Sequence, residues 1–402
     1  MAETTVGPLP LAGLRVVEFA HMVMGPTCGL ILGDLGAEVI KVEPIEGDRT
    51  RRLLGSGAGF FPAFNRNKKS IALNLKTHEG REVATRLALS ADVVTENFKP
   101  GAMKELRLDY ETLRMLHPRV IYVCHKGFLP GPYEGRTALD EVVQMMGGLA
   151  YMTGRPKDPI RAGTSVNDIM GGMFGAMGAM AALRVRDQTG EGCEVQAALF
   201  ENNVFLVAQH MMQFAITGMP VDPMPSRVSA WAVYDVFTVK DGEQIYLALV
   251  SDKQWRTFCS ATCLTELLED PRLLTNNDRV VARHWLMPVL REFLSTWSAQ
   301  ALSSLFERNG LPFAPIARPE SLFEDIHLNK SGGLAEIQLE GSKKSKVPLL
   351  PLTIGGRRLR LRSSPPSVGQ DSRSLMQVLG YQQAEIDRLI KDGIVAEPIR
   401  KT

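Results

Sequence analysis

The amino-acid sequence predicts an α/β protein with a parallel sheet, followed by a second and smaller domain. Three observations support this prediction. The chain has 402 residues, more than one compact core usually holds. Strand-like and helix-like segments alternate along the first half, and the pattern changes after about residue 220. Hydrophobic residues make up 45% and charged residues 22%, as in an ordinary globular protein.

The first half contains four short β-rich runs separated by helical segments. The first run, residues 14–19, is followed by Gly25-Pro26, which is typical of a turn before a helix. The other predicted strands are residues 38–42, 92–96 and 120–124, and the predicted helices include residues 80–89 and 110–116. Strands separated by helices indicate βαβ units and therefore a parallel sheet.

The middle of the chain is organised differently. Residues 231–237 and 244–250 flank Lys240-Asp241-Gly242, which predicts two antiparallel strands joined by a turn. Amphipathic helices follow, and glycine and prolines break their periodicity at residues 310–316. From Gly341 onward short strands return, and a polar helix is predicted around residues 382–392.

Composition argues against several classes of function. Lys and Arg total 46 against 44 for Asp and Glu, a net charge of +2, so neither nucleic acid nor a membrane surface is expected as a partner. The five cysteines lack zinc-site spacing, so no metal is expected and a reducing cytoplasm fits best. No secretory signal is visible in the first ten residues, and the apolar run at residues 170–183 is too short for a membrane span.

A parallel sheet raises the question of a dinucleotide cofactor. The first predicted turn, residues 24–29, lacks the GxGxxG spacing that lets backbone approach a pyrophosphate. Residues 171–178 are rich in glycine, but their spacing places small residues on one helix face and predicts close helix packing. Neither a nicotinamide nor a flavin cofactor is therefore expected.

The stretch from Gly163 to Gly172 carries the most suggestive carboxylate of the sequence. In it, Asp168 is followed by a small, flexible and apolar helix. An acid in the first turn of a helix is stabilised by free backbone N–H groups, by roughly 0.3–1 kcal/mol when exposed. The residues alone therefore favour a helix cap at Asp168 and leave a nucleophile as the alternative.

Several sequence blocks resemble, in order, those of the class III CoA-transferases, the CaiB/BaiF family. The blocks are residues 10–18, 33–43, 65–71, 96–101 and 189–192. The similarity extends from residue 10 to beyond residue 390, and a set of this size at family spacing is highly specific.

The resemblance implies a fold and an assembly. A large Rossmann-like domain from both chain ends would comprise residues 1–215 and 331–402, with a small α+β domain, residues 216–330, inserted between them. Two subunits of the family interlock like links of a chain, so we expect an obligate homodimer. Its active site would lie between the large domain of one subunit and the small domain of the other.

The resemblance also implies a catalytic role, because Asp168 matches the family's nucleophile. A carboxylate that attacks an acyl-CoA thioester forms a mixed anhydride and releases CoA thiolate, which returns to give an aspartyl-CoA thioester. The acceptor acid then takes the CoA through a second anhydride. Coenzyme A is part of the substrate, and no other cofactor is expected.

The residues expected to bind CoA match the family less completely. They are Val23, Met24, Leu73, Asn74, Leu75, Lys76, Asn97, Phe98, Lys99, Lys104 and Arg136. The last three are the expected phosphate partners, although a solvated surface charge is the alternative for each lysine. A basic cluster nearby consists of Arg66, Lys68 and Lys69.

The sequence departs from formyl-CoA transferase at several positions. That enzyme has glutamine at the position of Val23 and arginines at those of Pro44 and Glu105, so some charge contacts must differ. Residues 250–255 replace its tetraglycine loop, so formate and oxalate are not the expected acceptors.

Residues 229–237 resemble a subgroup that handles short dicarboxylates such as itaconate, mesaconate, citramalate or glutarate, often with succinyl-CoA as donor. Arg227 and Lys253 are candidates for a second carboxylate clamp. Trp231 and Tyr234 line either the acyl pocket or the core.

Two alternative functions stay open. The α-methylacyl-CoA racemases of the same superfamily use a histidine where this chain has Leu139, which cannot carry a proton. His125 lies upstream, but a histidine at a strand end is more often structural. The third hypothesis is a non-catalytic subunit of a heteromeric transferase, which the presence of Asp168 disfavours.

Overall fold

The computed structural model describes residues 9–227, 229–339 and 343–398. This part of the chain divides into two compact units. Unit 1 comprises the chain up to Val221 and from Ile326 onward, and unit 2 is Asp222–Asp325. The predicted boundaries, 215/216 and 330/331, differ from these breaks by a few residues.

The first part of unit 1 alternates strands and helices. The strands are β1 Arg15–Phe19, β2 Glu38–Glu43, β3 Lys68–Leu73, β4 Val93–Glu96, β5 Ile121–Lys126 and β6 Glu194–Ala198. The helices are α1 Met24–Asp34, α2 Phe60–Phe64, α3 His78–Leu89, α4 Ala102–Glu105, α5 Tyr110–Leu116, α6 Asp140–Met146, α7 Leu149–Thr153, α8 Val166–Thr189 and α9 Leu199–Thr217. The turn predicted at Gly25-Pro26 is wrong, because both residues lie within the first turn of α1.

Unit 2 begins with the predicted antiparallel hairpin. Its strands are β7 Val233–Thr238, β8 Gln244–Leu249 and β9 Phe313–Pro315, which pair in that order. Its helices are α10 Asp252–Ala261, α11 Thr265–Glu269, α12 Asn276–Val281, α13 Arg283–Ser295 and α14 Ala299–Arg308. Of the two prolines that mark the end of the helical pattern in the sequence, Pro315 ends the edge strand β9, where a missing N–H is tolerated, and Pro312 directly precedes it.

The chain then returns to unit 1. The helices of this segment are α15 Ile326–Lys330, α16 Ser372–Val378 and α17 Gln383–Lys391. Its strands are β10 Leu334–Gln338, β11 Lys344–Pro348, β12 Thr353–Ile354, β13 Arg357–Arg358 and β14 Val395–Ala396. The polar helix predicted near the end is α17. Among the described helices, none is both long and apolar enough to cross a bilayer.

The central sheet of unit 1 has seven described strands in the order β14-β3-β2-β1-β4-β5-β6. Strands β1 to β6 are parallel, whereas β14 runs antiparallel to β3. The predicted parallel sheet is therefore confirmed, and the chain's last strand completes it.

Apolar side chains alternate between the two faces of this sheet. Val17 and Val94 face a core layer that includes α3, α5, α16 and α17. Val16 and Val93 face the opposite layer, which includes α1 and α8. Since neighbouring residues of a strand point to opposite faces, helices cover the sheet on both sides.

Glycines let α8 lie directly against α1 and β5. A Cβ added at Gly172 would lie 2.5 Å from Cβ of Thr27, and one at Gly175 would lie 2.3 Å from Cε1 of His125. Both distances are shorter than van der Waals contact allows, so only glycine fits. The predicted close helix packing is confirmed, and it fixes the position of the N-terminus of α8.

Candidate active site

The carboxyl edge of the sheet gathers most of the predicted CoA-binding segments. Because β1, β3 and β4 are parallel, the chain leaves all three at the same edge. Residues 23–24 follow β1, residues 73–76 end and follow β3, and residues 97–99 follow β4. Strands β3 and β1 are separated by β2, so residues 73–76 lie about 10 Å from residues 23–24.

The loop after β1 is tied to the loop after β4. The backbone N–H of His21 donates to Oδ1 of Asn97 at 2.9 Å, and Nδ2 of Asn97 donates to the carbonyl of His21 at 2.7 Å. Met22 has a left-handed φ of 63°, and the close approach of Gly25 to Ala20 completes the turn into α1. Asn97 therefore positions the loop that precedes α1.

Asp168 lies at this same edge, in the first turn of α8. The N-cap residue of α8 is Ser165, and Asp168 is the third residue of the helix. A Cβ added at Gly171, one turn further on, would lie 2.3 Å from Cε of Met24. The structure therefore brings Met24 and the Asp168 turn together. The interpretation of Asp168 as the helix cap is wrong, since its side chain makes no capping bond.

The cap of α8 comes from another carboxylate, that of Asp140 at the start of α6. Its Oδ1 accepts from the backbone N–H groups of Asn167 at 2.7 Å and Asp168 at 3.2 Å. Its Oδ2 accepts from Nε2 of Gln144, whose Oε1 in turn accepts from the backbone N–H of Ala162 at 2.8 Å. Asp140 and Gln144 are both buried.

The surroundings of Asp168 favour its protonated form. Burial, and secondly the negative charges of Asp140 and Glu141, raise the pKa of Asp168 to about 7. Arg161 pairs with Glu141 and partly offsets the second of these charges. At neutral pH, Asp168 is therefore a half-buried carboxylate that is much more basic than an ordinary aspartate.

The predicted CoA residues differ in which atoms they expose. Val23 is 0% exposed and Leu73 is 2% exposed, so neither residue offers surface to a ligand in this structure. Met24 is also buried, whereas Asn74, Leu75, Asn97 and Phe98 are half-buried. The side chains of Lys76, Lys99, Lys104 and Arg136 are exposed. Within the described chain, none of these four cations forms an ion pair.

The basic cluster predicted near CoA is committed to internal ion pairs. Arg66 is buried and donates to Asp34 at 2.7 Å. Lys68 is buried and donates to Glu18 at 2.8 Å. Lys69 pairs with Glu38 and lines an open cleft of about 520 Å³ at the amino edge of the sheet, with Arg15, Asp92 and Arg362. This cleft lies at the edge opposite Asp168.

The residues relevant to a racemase do not form a proton-transfer pair. Leu139 precedes α6 and is 61% exposed. His125 is buried and its Nε2 bonds to Oγ1 of Thr95, and burial lowers its pKa to about 4. It contacts Gly175, seven residues beyond Asp168, which is about 10 Å along a helix axis.

Unit 2 holds the residues predicted for the acceptor. Trp231 and Tyr234 are half-buried and stack at 5.0 Å between ring centroids, and Tyr246 packs edge-on to Tyr234 at 5.3 Å. Burial, and next its hydrogen bond to Tyr234, raises the pKa of Tyr246, while the charge of nearby Arg227 lowers it. Lys253 is exposed at the start of α10, beside Arg256.

Sequence reasoning missed Asp140 and Gln144. In the sequence, Asp140 follows Leu139 and carries no local signal of its own. Its role depends on the approach of α6 to α8 in the fold. Along the chain, 26 residues lie between Asp140 and Asn167. An acid that caps a different helix lies at no fixed sequence distance from that helix, so a sequence pattern cannot identify it.

Comparisons with known proteins identify the family of this chain. The model of CoA-transferase family III matches residues 11–372. A succinate–glutarate CoA-transferase of Agrobacterium fabrum is 32% identical over 383 residues, 92% of this chain and 96% of that protein. An acetyl-CoA:oxalate CoA-transferase of Acetobacter aceti is 34% identical over 349 residues, 83% of this chain and 90% of that protein.

A solved structure agrees as well. The crystal structure of a CAIB/BAIF family protein from Brucella suis matches with a TM-score of 0.83 and 33% identity, over 93% of this chain and 100% of that one. The family model, the two related enzymes and the solved structure each match most of this chain. This protein therefore belongs to CoA-transferase family III and is an enzyme that transfers coenzyme A.

Proposed function

We propose that this enzyme moves CoA from an acyl-CoA donor, succinyl-CoA, to a short dicarboxylic acid, with Asp168 as the nucleophile. The observation that carries the proposal is the state of Asp168. Its carboxylate is half-buried, forms no capping bond, and has a raised pKa at the edge where the predicted CoA segments meet. A carboxylate of this kind is activated for attack on a thioester.

The reaction balances without another reactant. An oxygen of Asp168 attacks the thioester carbonyl, the C–S bond breaks, and CoA leaves as a thiolate. The thiolate then attacks the Asp168 carbonyl of the mixed anhydride, which releases succinate and forms an aspartyl-CoA thioester. The acceptor carboxylate repeats these two steps in reverse and leaves as the new acyl-CoA. We therefore propose that no resident cofactor takes part.

The raised pKa of Asp168 serves these steps directly. A more basic carboxylate is a better nucleophile, and an apolar environment also protects the anhydrides from water. At pH 7.5 to 8, most of the side chain is ionised if its pKa is about 7. The rate of transfer should accordingly fall as the pH drops below about 7 and Asp168 takes up a proton.

We propose that CoA lies along the carboxyl edge of the sheet. The half-buried residues 74–75 and 97–98 would hold the adenine and the pantetheine arm, with the buried Val23 and Leu73 behind them. Lys76, Lys99, Lys104 and Arg136 would contact phosphates, because their exposed cations lack an ionic partner among the described residues.

The acceptor is proposed as a dicarboxylate of the size of itaconate, mesaconate, citramalate or glutarate. The support is the subgroup resemblance of residues 229–237 and the 32% identity to an enzyme named for succinate and glutarate. Arg227 and Lys253 are the proposed clamp for the second carboxylate. Oxalate belongs in any assay, because the Acetobacter relative is named for it.

We also propose that the enzyme is a cytoplasmic homodimer with interlocked subunits. Five unpaired cysteines fit a reducing compartment. The support for a dimer on this chain is α9, whose C-terminal half exposes apolar side chains. These side chains are Met211, Met212, Phe214 and Ile216. A helix that is apolar around its circumference is normally covered.

Acyl exchange tests the proposed function. The enzyme is incubated with succinyl-CoA and a panel of acids that includes glutarate, mesaconate, itaconate, citramalate and oxalate, and new acyl-CoA species are identified by mass spectrometry. Asp168→Ala should abolish transfer, whereas Asp187→Ala, at an exposed position near the end of the same helix, should keep it.

The outcomes separate the alternatives. Transfer that survives in Asp168→Ala would remove this residue from the mechanism. Deuterium uptake at the α-carbon of an acyl-CoA without exchange of acids would favour a racemase. Absence of both reactions in the wild type, with CoA still bound, would favour a non-catalytic subunit.

A further inference from the structure

A buried carboxylate that does not belong to the proposed CoA contacts holds the N-terminus of α8. We propose that Asp140 is a positioning residue for the transfer reaction: it occupies the end of the helix in place of Asp168 and so leaves the Asp168 carboxylate free to attack. This inference rests on the proposed function of Asp168.

Both oxygens of Asp140 are used. Oδ1 accepts from the backbone N–H groups of residues 167 and 168, the donors that an acid at the start of a helix would otherwise take for itself. Oδ2 accepts from Gln144, one turn along α6. Gln144 also accepts from the backbone of Ala162. One carboxylate therefore connects α6, the segment before α8, and the first turn of α8.

This arrangement separates two roles that a single aspartate could not fill together. A carboxylate that caps its own helix is stabilised as an anion and oriented toward the backbone, and both effects make it a poorer nucleophile. With the cap supplied by Asp140, the side chain of Asp168 keeps its orientation and its basicity. The cap also places a second negative charge beside the nucleophile, which opposes its ionisation further.

Charged or titratable groups of the described chain approach the Asp168 turn from several elements. Helix α6 contributes Asp140 and Glu141, and the segment before α8 contributes Arg161, which pairs with Glu141. Strand β5 contributes His125, which faces Gly175 two turns away. At the start of α9, Glu201 accepts from the backbone N–H of Leu129. Of these groups, Asp140 bonds to the backbone of Asp168 itself.

The Asp140→Asn variant tests the proposal, because it removes the charge of the cap and replaces Oδ2, which accepts from Gln144, with an N–H₂ that cannot accept. We expect kcat to fall by about tenfold to a hundredfold, with KM for acyl-CoA within about twofold of the wild type. The acidic limb of the pH profile of kcat/KM should move to lower pH, since the Asp168 anion loses a like charge nearby. Asp109→Asn is the matched control, as Asp109 caps α5 through the backbone N–H of Thr112.

A second variant is needed in case Asp140→Asn does not fold. In Asp140→Asn, the new amide N–H₂ meets the N–H₂ of Gln144, so this hydrogen bond is lost. In the double variant Asp140→Asn with Gln144→Glu, the new carboxylate can accept both from the new amide and from the backbone N–H of Ala162. Circular dichroism and thermal denaturation of both variants show whether the fold survives. If the single variant does not fold, the double variant is assayed for kcat alone, because Gln144→Glu keeps a negative charge near Asp168 and the acidic limb need not move.

The outcomes are distinguishable. A wild-type kcat and an unmoved acidic limb in a folded Asp140 variant would overturn the positioning role. So would an equal loss in Asp109→Asn, because the effect would then be that of removing the charge from any helix cap. If the wild type itself shows no transfer with any acid, the proposed function fails, and the variants then reveal nothing about Asp140.

Discussion

Asp168 is held in a state that costs stability. Its pKa is raised from 3.8 to about 7, so the folded protein binds this proton more tightly than the unfolded chain does. Above pH 7 the carboxylate is ionised in both states, and the folded state is penalised. As the pH falls toward 4, the folded state becomes protonated and the penalty disappears.

The residue-scale prediction follows from this loss of stability at high pH. Asp168→Asn should raise the free energy of unfolding at pH 8, by up to about 4 kcal/mol, because it replaces a disfavoured anion with a neutral isostere. The gain should shrink as the pH falls toward 4. Thermal denaturation of wild type and variant at both pH values measures it. A variant that is less stable than the wild type at pH 8 would contradict the raised pKa.

At this scale the sequence singled out Asp168 on two grounds, and the structure bears on one of them. Local chemistry favoured a helix cap at Asp168, and the family resemblance favoured a nucleophile. The structure shows that the capping bonds are made by Asp140 instead. A local pattern indicates that the end of a helix attracts a carboxylate, but tertiary structure decides which carboxylate reaches it.

At the scale of elements, four strands of the central sheet were predictable, whereas β3, which begins with two lysines, was not. Residues 68–73, which form β3, were grouped with a basic cluster because the run starts with two lysines. The buried lysine of that run is neutralised by Glu18, which lies on β1. An ion pair between distant strands leaves no trace in a period-2 hydrophobic pattern, so β3 was missed.

The element-scale prediction concerns the packing of α8 on β5. Gly175→Ala should place a methyl group against the buried imidazole of His125, which is held by its bond to Thr95. We expect a net loss of about 1–3 kcal/mol in unfolding free energy, although alanine favours a helix by about 1 kcal/mol. Transfer activity should also fall, since α8 carries Asp168.

Gly135→Ala is the control for Gly175→Ala, because a Cβ at this exposed glycine meets no atom within 4 Å. Chemical denaturation of both variants gives the comparison. If Gly175→Ala were more stable than the wild type, as helix propensity alone predicts, the close approach of α8 to β5 would be refuted.

At the scale of the whole molecule, α9 leaves several large apolar side chains exposed in the described chain. Ile216 is 81% exposed, and Phe205 on the same helix is 68% exposed. Several exposed apolar side chains on one helix suggest an interaction surface. A second copy of this chain is the occupant we propose, in keeping with the interlocked dimer that the family resemblance implies.

The last prediction tests that occupant. The wild type should sediment as a dimer at micromolar concentration. Ile216→Asp should raise the dimer Kd at least about a hundredfold, equivalent to about 2.7 kcal/mol, because a charge would be buried in the interface. Leu116→Asp is the matched control, since Leu116 ends α5 and is 63% exposed. Because an interlocked dimer would form its active sites from both subunits, Ile216→Asp should lose transfer in parallel with dimerisation. A wild-type monomer, or a monomeric Ile216→Asp with full activity, would show that one chain holds the whole site.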